Sequence, residues 1–440
     1  MGVLTVRRTA IATVITVAGV LLIAAMAVAL VAPACAAGEP DLEWVKSTGS
    51  YVSSGPAFHS NMLYVGTLDG NVYGYMVTLG EPQWPWPVNY RSAIASSLVV
   101  GSDRTLYFGT GSGILYAIDS LSSDEKWRFQ ADANIDTTPV LSNGLLIFGS
   151  DSANGTGKVY ALNAETGRLE WSVPTGGIVS YGIAAGDNVA YFGSRDGNLY
   201  AIDTYSGKAR WIVPLDTPNQ SKVYSPALAD GVIYVGVGDR SVYAVDPQSG
   251  NVRWRFSQMD GAVVSKPLCM LGYVYAGSQD GYVYALEAAT GKLVWKFRTD
   301  GPVKATPLFD ASGQAPIVYA GSGDGNVYAI DAKFGLPYWQ YRAPGSVDST
   351  PVVISRSGES HLYFVTVNGD VGSLKLPDRL VMGTATPAPT GQPTPTPVPT
   401  PKPTPTLVPL PSPTAPAPLS PVAGLAGMAA AVLLMARRRR

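Results

Sequence analysis

The run Tyr275-Ala276-Gly277-Ser278-Gln279-Asp280-Gly281-Tyr282-Val283-Tyr284-Ala285-Leu286-Glu287-Ala288-Ala289-Thr290-Gly291-Lys292-Leu293-Val294-Trp295 decides the fold, because versions of it recur along most of the chain. Asp-Gly between two alternating apolar runs is a tight-hairpin signal, since such turns need positive φ. It returns at Asp196-Gly197 and Asp324-Gly325. A second turn ends at Gly167, Gly207, Gly250 or Gly291, and Asp203, Asp246 or Asp331 opens it, with side chains suited to accepting local backbone N–H groups. The unit closes on tryptophan.

Working outward, the tryptophans set the period. Trp44, Trp84 (or Trp86), Trp127, Trp171, Trp211, Trp254, Trp295 and Trp339 follow one another at 40 to 44 residues and use all nine in the chain. A period near 42 with several short strands per unit is the propeller range. Glycines at 66, 109, 149, 193, 236, 277 and 321 are expected to leave room for a flat partner, the indole of the outer strand. Proline enters the innermost strand at Pro56, Pro139, Pro226, Pro267, Pro307 and Pro351. Lacking a ladder donor, it is tolerable only if that strand is an edge facing a central channel.

Counting strands gives the number of blades. Three inner strands occur eight times between about Tyr51 and Leu376, and the Trp-bearing outer strand also occurs eight times. The first outer strand, Asp41-Leu42-Glu43-Trp44-Val45-Lys46, precedes any inner set, and the last inner set has no outer strand after it. The expected fold is therefore all-β: an eight-bladed propeller of four-stranded blades over residues 41–376. An N-terminal outer strand completes the last blade, and closure removes exposed sheet edges.

The pattern Gly-Ser-x-Asp-Gly-x-Val-Tyr-Ala-x-Asp-x-x-Thr-Gly-x-x-x-Trp resembles the PQQ-like β-propeller repeat. That family includes quinoprotein alcohol dehydrogenases and the noncatalytic BamB-type outer-membrane assembly lipoproteins. In the dehydrogenases the resemblance implies PQQ in an axial funnel, beneath a ring of adjacent cysteines, with Ca²⁺ held by Glu and Asn and an Asp base nearby. This chain has only Cys35 and Cys269, and its imidazoles are His59 and His361. None of its Asp-Gly pairs falls in a D-x-[DN]-x-[DN]-G calcium loop. The expectation is no metal site and no cofactor, with PQQ and Ca²⁺ entering only under the dehydrogenase alternative. Cys269, in the apolar run Pro267-Leu268-Cys269-Met270-Leu271, reads as a small buried hydrophobe.

The ends read as targeting and tethering segments. Arg7 and Arg8, the apolar run from about Ile11 to Val31, and Ala32-Pro33-Ala34-Cys35-Ala36-Ala37 describe a secretory signal peptide over 1–37. An uncleaved anchor is the competing reading. From Thr384 to Pro421 the chain is Pro/Thr-rich with only Lys402 charged, a composition for an extended stalk. At ~3.1 Å per residue it would reach on the order of 100 Å. Val422 to Ala436 is apolar and Arg437 to Arg440 follow it, so a membrane tether over 422–440 is expected, with everything upstream outside. The layout resembles the sorting tails of archaeosortase-processed surface proteins, although Pro418-Leu419-Ser420-Pro421 stands where their Pro-Gly-Phe signature would be.

Thirty-one Lys and Arg against thirty-two Asp and Glu leave no basic field for phosphates, so nucleic acid is not an expected partner. On the inner strands, the residue before each proline and the one two earlier share a face. Round the ring these columns are Ser53, Ala95, Asp136, Ser180, Val223, Val264, Lys304, Asp348, and Gly55, Ser97, Thr138, Gly182, Ser225, Lys266, Thr306, Thr350. They describe a small-polar channel whose only charges, Asp136, Lys266, Lys304 and Asp348, are the candidate ligand-binding residues. Trp84-Pro85-Trp86, Tyr90 and Tyr224 are either partner- or glycan-binding surface aromatics or outer-strand packing, and Asn154 and Asn219 head glycosylation sequons. Together these features imply a monomeric, noncatalytic, cell-surface propeller displaying a binding or envelope-scaffolding surface, its partner an envelope protein or glycan. The alternatives are a PQQ-dependent oxidoreductase and a BamB-like assembly factor.

Overall fold

A computed structural model describes residues 38–377, except 85–86, 153, 216–221, 313–314 and 357. The signal segment, the Pro/Thr stretch, the C-terminal tail, Trp86 and Asn219 lie outside the described residues. Thirty-two strands form eight separate four-stranded antiparallel sheets, the blades of a β-propeller. Blade 6 is representative: Leu268–Met270, Tyr273–Gly277, Tyr282–Glu287 and Leu293–Arg298 pair in sequence order. The second and third strands, buried on both faces, are continuous apolar runs, whereas the outer strand alternates apolar and polar.

Blade 8 departs from sequence order as the strand count requires. Asp41–Ser47 pairs with Asp370–Lys375, in the register Asp41↔Lys375 to Ser47↔Asp370, so the N-terminal strand completes the last sheet. His361 serves this junction: its Nε2 lies 3.2 Å from Glu43 Oε1, and Ser373 Oγ donates to Glu43 Oε2 at 2.7 Å.

The second-strand glycines do not take the role expected of them, while the later turn glycines keep theirs and add a second. A Cβ on the second-strand Gly277 would lie 2.5 Å from Val303 Cγ1 and 2.8 Å from its carbonyl oxygen, not against an indole. Gly109 meets Ile135, Gly149 meets Val179, Gly236 meets Val263 and Gly321 meets Val347 in the same way. These glycines admit the apolar residue that leads into the next blade's inner strand. The indoles rest instead on the later turn glycines of the following blade. Gly291, at φ +71°, would place a Cβ 2.6 Å from Trp254 Cε3, and Gly80 stands likewise over Trp44.

That contact carries a hydrogen bond. The Trp254 indole donates to Ala288 O at 2.8 Å, Trp171 to Thr204 O at 2.7 Å and Trp44 to Val77 O at 3.2 Å. Trp84 donates to Leu121 O at 2.9 Å and is buried, so it makes the same bond to the next blade. Trp127, Trp211 and Trp295 bond to the next blade in the same manner. Trp339 Nε1 is the exception, buried with no partner. The blade it faces takes its outer strand from the other end of the chain, so no third-to-outer-strand turn supplies the acceptor.

Candidate functional site: the axial channel

Each inner strand is an edge, and Pro56, Pro139, Pro267, Pro307 and Pro351 sit where the chain enters it. A hydroxyl pins this approach in several blades. Ser265 Oγ accepts from Gly277 N at 2.9 Å and donates to Gly277 O at 3.0 Å; Thr137 does the same to Gly149 at 2.8 and 2.9 Å, and Ser96 to Gly109. With the middle residue bound into the wall, its two neighbours must face the axis. That is why Asp136 and Thr138, or Val264 and Lys266, point inward.

The result is a cavity of about 400 Å³ lined by both predicted columns, including Asp136, Lys266, Lys304 and Asp348. Val223 is the one misplaced member. It is fully buried, and its N–H donates to Ser194 O as the wall residue Val303 donates to Ser278 O. The register between Val223 and Pro226 is irregular, one residue shorter than in the other units, so Val223 occupies the wall slot rather than the lumen.

The four charges differ in their surroundings. Lys304 Nζ lies 2.7 Å from Asp348 Oδ2, bridging blades 7 and 8, and Ser346 Oγ donates to Asp348 Oδ1 at 2.8 Å. Burial holds the Asp136 carboxyl above its ordinary range, partly offset by Arg195. Lys266 reaches into the lumen, where water touches it while protein surrounds it, and this loss of hydration lowers its pKa. Among the described residues no carboxylate stands within ion-pair distance of Lys266.

Sequence columns missed a second group, linked to the channel lining through Ser180 and Asp136. Burial and the charge of Asp136 push Asp151 up to about 6, Arg195 working against them, and Asp151 Oδ1 is buried without a hydrogen-bond partner. Arg195 donates to Ser180 Oγ at 3.2 Å, and Tyr181 packs edge-on against Tyr224, with centroids 4.6 Å apart. Asp151 and Arg195 occupy the same place in successive repeats, two residues past the second-strand glycine. A third column read at that offset would have found them.

The remaining candidates lie outside the channel lining. Tyr224 is buried, and Tyr90 is half-buried against Phe108 and Tyr116, as packing residues of the blades. Asn154 is exposed in a turn, its Oδ1 accepting from Thr156 N and Oγ1 at 3.1 and 2.7 Å. Cys269 is buried, and burial raises its thiol pKa.

Four overlapping stretches, residues 12–153, 85–221, 155–266 and 238–378, match the model of the family described as outer membrane protein assembly factor BamB. The chain belongs to this family. BamB of Burkholderia pseudomallei (strain K96243) is 30% identical over 188 residues, covering 40% of this chain and 46% of that protein. The match thus spans about half the length of that curated relative. The dehydrogenase subunit of the quinone alcohol dehydrogenase of Gluconobacter oxydans (strain 621H) is 36% identical over 101 residues, 20% of this chain and 13% of that one. Among solved structures, BamB from Moraxella catarrhalis superposes with a TM-score of 0.63 at 17% identity, covering 77% of this chain and all of that one. Quinohemoprotein alcohol dehydrogenase ADHIIG from Pseudomonas putida HK5 gives 0.65 at 16%, covering 80% and 78%. At such identities the likeness is one of fold.

The lumen does not fit the quinoprotein donor set. Its lining holds no Glu, Asn or Cys, and its two carboxylates stand apart in role, Asp348 tied to Lys304 and Asp136 desolvated beside Asp151. Nor do the described residues gather three or more His, Cys, Asp or Glu side chains in one place.

Proposed function

We propose that this chain is a noncatalytic envelope propeller that works by binding, with the channel and the blade faces as its surfaces. One observation carries the reading: the carboxylates that recur with the repeat are engaged by the fold. Asp196, Asp280 and Asp324 each accept from the tyrosine four residues on, at 2.5 to 2.8 Å. Asp203 and Asp246 cap their turns and pair with Arg210 and Arg253. What faces the channel is a set of hydroxyls with a few charges, a lining for recognition rather than for general acid–base work. The leader, the Pro/Thr stretch and the apolar, Arg-ended tail support display at the cell surface on a tether, with Asn154 and Asn219 as glycan acceptors and an envelope protein or glycan as partner. The family match supports a second reading, an assembly factor acting on outer-membrane proteins. Adding PQQ and Ca²⁺ to the purified chain and following alcohol-dependent dye reduction tests the noncatalytic claim. No turnover is expected, and sustained turnover overturns it. Co-purification with β-barrel assembly components would favour the assembly reading over free surface display.

A further inference from the structure

We infer that the channel holds a small oxyanion at Lys266: a phosphate, sulfate or carboxylate group, free or borne on a sugar. The inference rests on the channel being a binding site and names what that site takes.

Among the described residues, Lys266 is the channel cation without a counter-charge within ion-pair distance. Lys304 has Asp348 at 2.7 Å, and Arg195 stands with Asp136 and Asp151. Neither carboxylate of the lumen is within ion-pair distance of the Lys266 ammonium, and desolvation alone, with no neighbouring charge, sets its proton affinity. An ammonium stripped of part of its hydration and left unpaired favours an incoming anion.

The layer around it offers donors. Lys266 shares its strand position with Ser97, Thr138, Ser225, Thr306 and Thr350, all on the channel wall. Ser97 Oγ accepts from Gly55 N at 3.1 Å and Ser225 Oγ from Gly182 N at 2.8 Å. With an oxygen lone pair already filled by backbone, each of these hydroxyls has its proton left to give. The same two bonds come from glycines, which put no side chain into this layer and leave the lumen open. Positive charge plus hydroxyl donors, with the carboxylates Asp136 and Asp348 one step along the strand, selects an oxyanion over a cation. The cavity of about 400 Å³ has room for a phosphate with its waters or for one acidic monosaccharide.

Titration calorimetry of the full chain with inorganic phosphate, sulfate and glucuronate tests this at low salt. One-site binding in the micromolar-to-millimolar range is expected for at least one of the three. Lys266→Met should weaken it by on the order of tenfold or more, as loss of a charge-assisted bond implies, while Lys266→Arg retains it. Thr306→Val provides a second, uncharged probe of the same layer and should weaken binding by a smaller factor. The three anions separate the sources: preference for glucuronate points to an acidic glycan, preference for phosphate or sulfate to the inorganic group or its esters. Binding by none of them, or equal binding by the wild type and Lys266→Met, overturns the inference. Such a failure leaves the noncatalytic reading standing, because only quinone-dependent turnover removes that one.

Discussion

Replacing Gly291 by alanine probes the contact that joins one blade to the next. Gly291 has φ +71°, and a left-handed backbone costs a non-glycine residue about 1 kcal/mol. The added Cβ would also stand 2.6 Å from Trp254 Cε3 and 2.7 Å from Cδ2, so the indole must move by most of an ångström. Moving it stretches the 2.8 Å bond from Trp254 Nε1 to Ala288 O, at about 1 kcal/mol, and loosens the packing around a buried aromatic for about 1 kcal/mol more. The expected loss is about 3 kcal/mol. Gly272, in the same blade, is the internal control: its φ is +77° and nothing lies within 4 Å of a Cβ placed there, so Gly272→Ala should cost only the backbone term of about 1 kcal/mol. Urea unfolding followed by tryptophan emission measures both, and the difference of about 2 kcal/mol is the indole contact. Equal losses in the two variants would refute the assignment of the turn glycines to indole packing.

Three further outcomes follow from the same geometry. Trp254→Phe should cost about 1 kcal/mol more than Trp339→Phe, because the latter removes a buried donor that has no acceptor; paired denaturation curves read the difference. Ser265→Ala should lose about 2 kcal/mol in the same assay, since it leaves both the N–H and the C=O of Gly277 without their partner. Asp151, with its carboxyl pushed up to about 6 in the fold against 3.8 as its ordinary value, holds a proton more tightly folded than unfolded. Its contribution therefore favours the fold at acid pH and is lost as pH rises through the 4 to 6 window; Asp151→Asn should gain about 1 kcal/mol on the wild type between pH 4 and pH 7, after allowing for its partial exposure, as melts at the two pH values would show.

Much of this was legible because the repeat constrains itself. Eight outer-strand tryptophans against eight inner sets forced Asp41–Ser47 onto the last blade, and the alternation of inner-strand residues forced Asp136, Lys266, Lys304 and Asp348 to the axis. What eluded it was contact between repeats. A period reports that Gly277 and Gly291 are both needed but not which neighbour each admits, so the indole was expected at Gly277, which admits Val303, whereas Trp254 rests on Gly291. Val223 went astray because one residue is missing from its unit, and counting back from Pro226 shifts the register by one. A third column would have named Asp151 and Arg195, but their coupling appears only once blades 3 and 4 stand side by side. The orphaned Trp339 donor is likewise a product of closure.

Ring closure by the N-terminal strand is the claim from which blade number, channel and orphaned indole all follow, and a disulfide trap tests it. Ser47 pairs with Asp370 across the seam, whereas Asp41 lies at the far end of the same strand opposite Lys375. In the full chain, the variant with Ser47→Cys and Asp370→Cys should form the bridge under mild oxidation and unfold at higher urea than its reduced form, as a bond closing so long a loop requires. The variant with Asp41→Cys and Asp370→Cys should stay reduced under the same conditions. Failure of the first pair to cross-link, or equal cross-linking by the second, would contradict the closed eight-bladed ring.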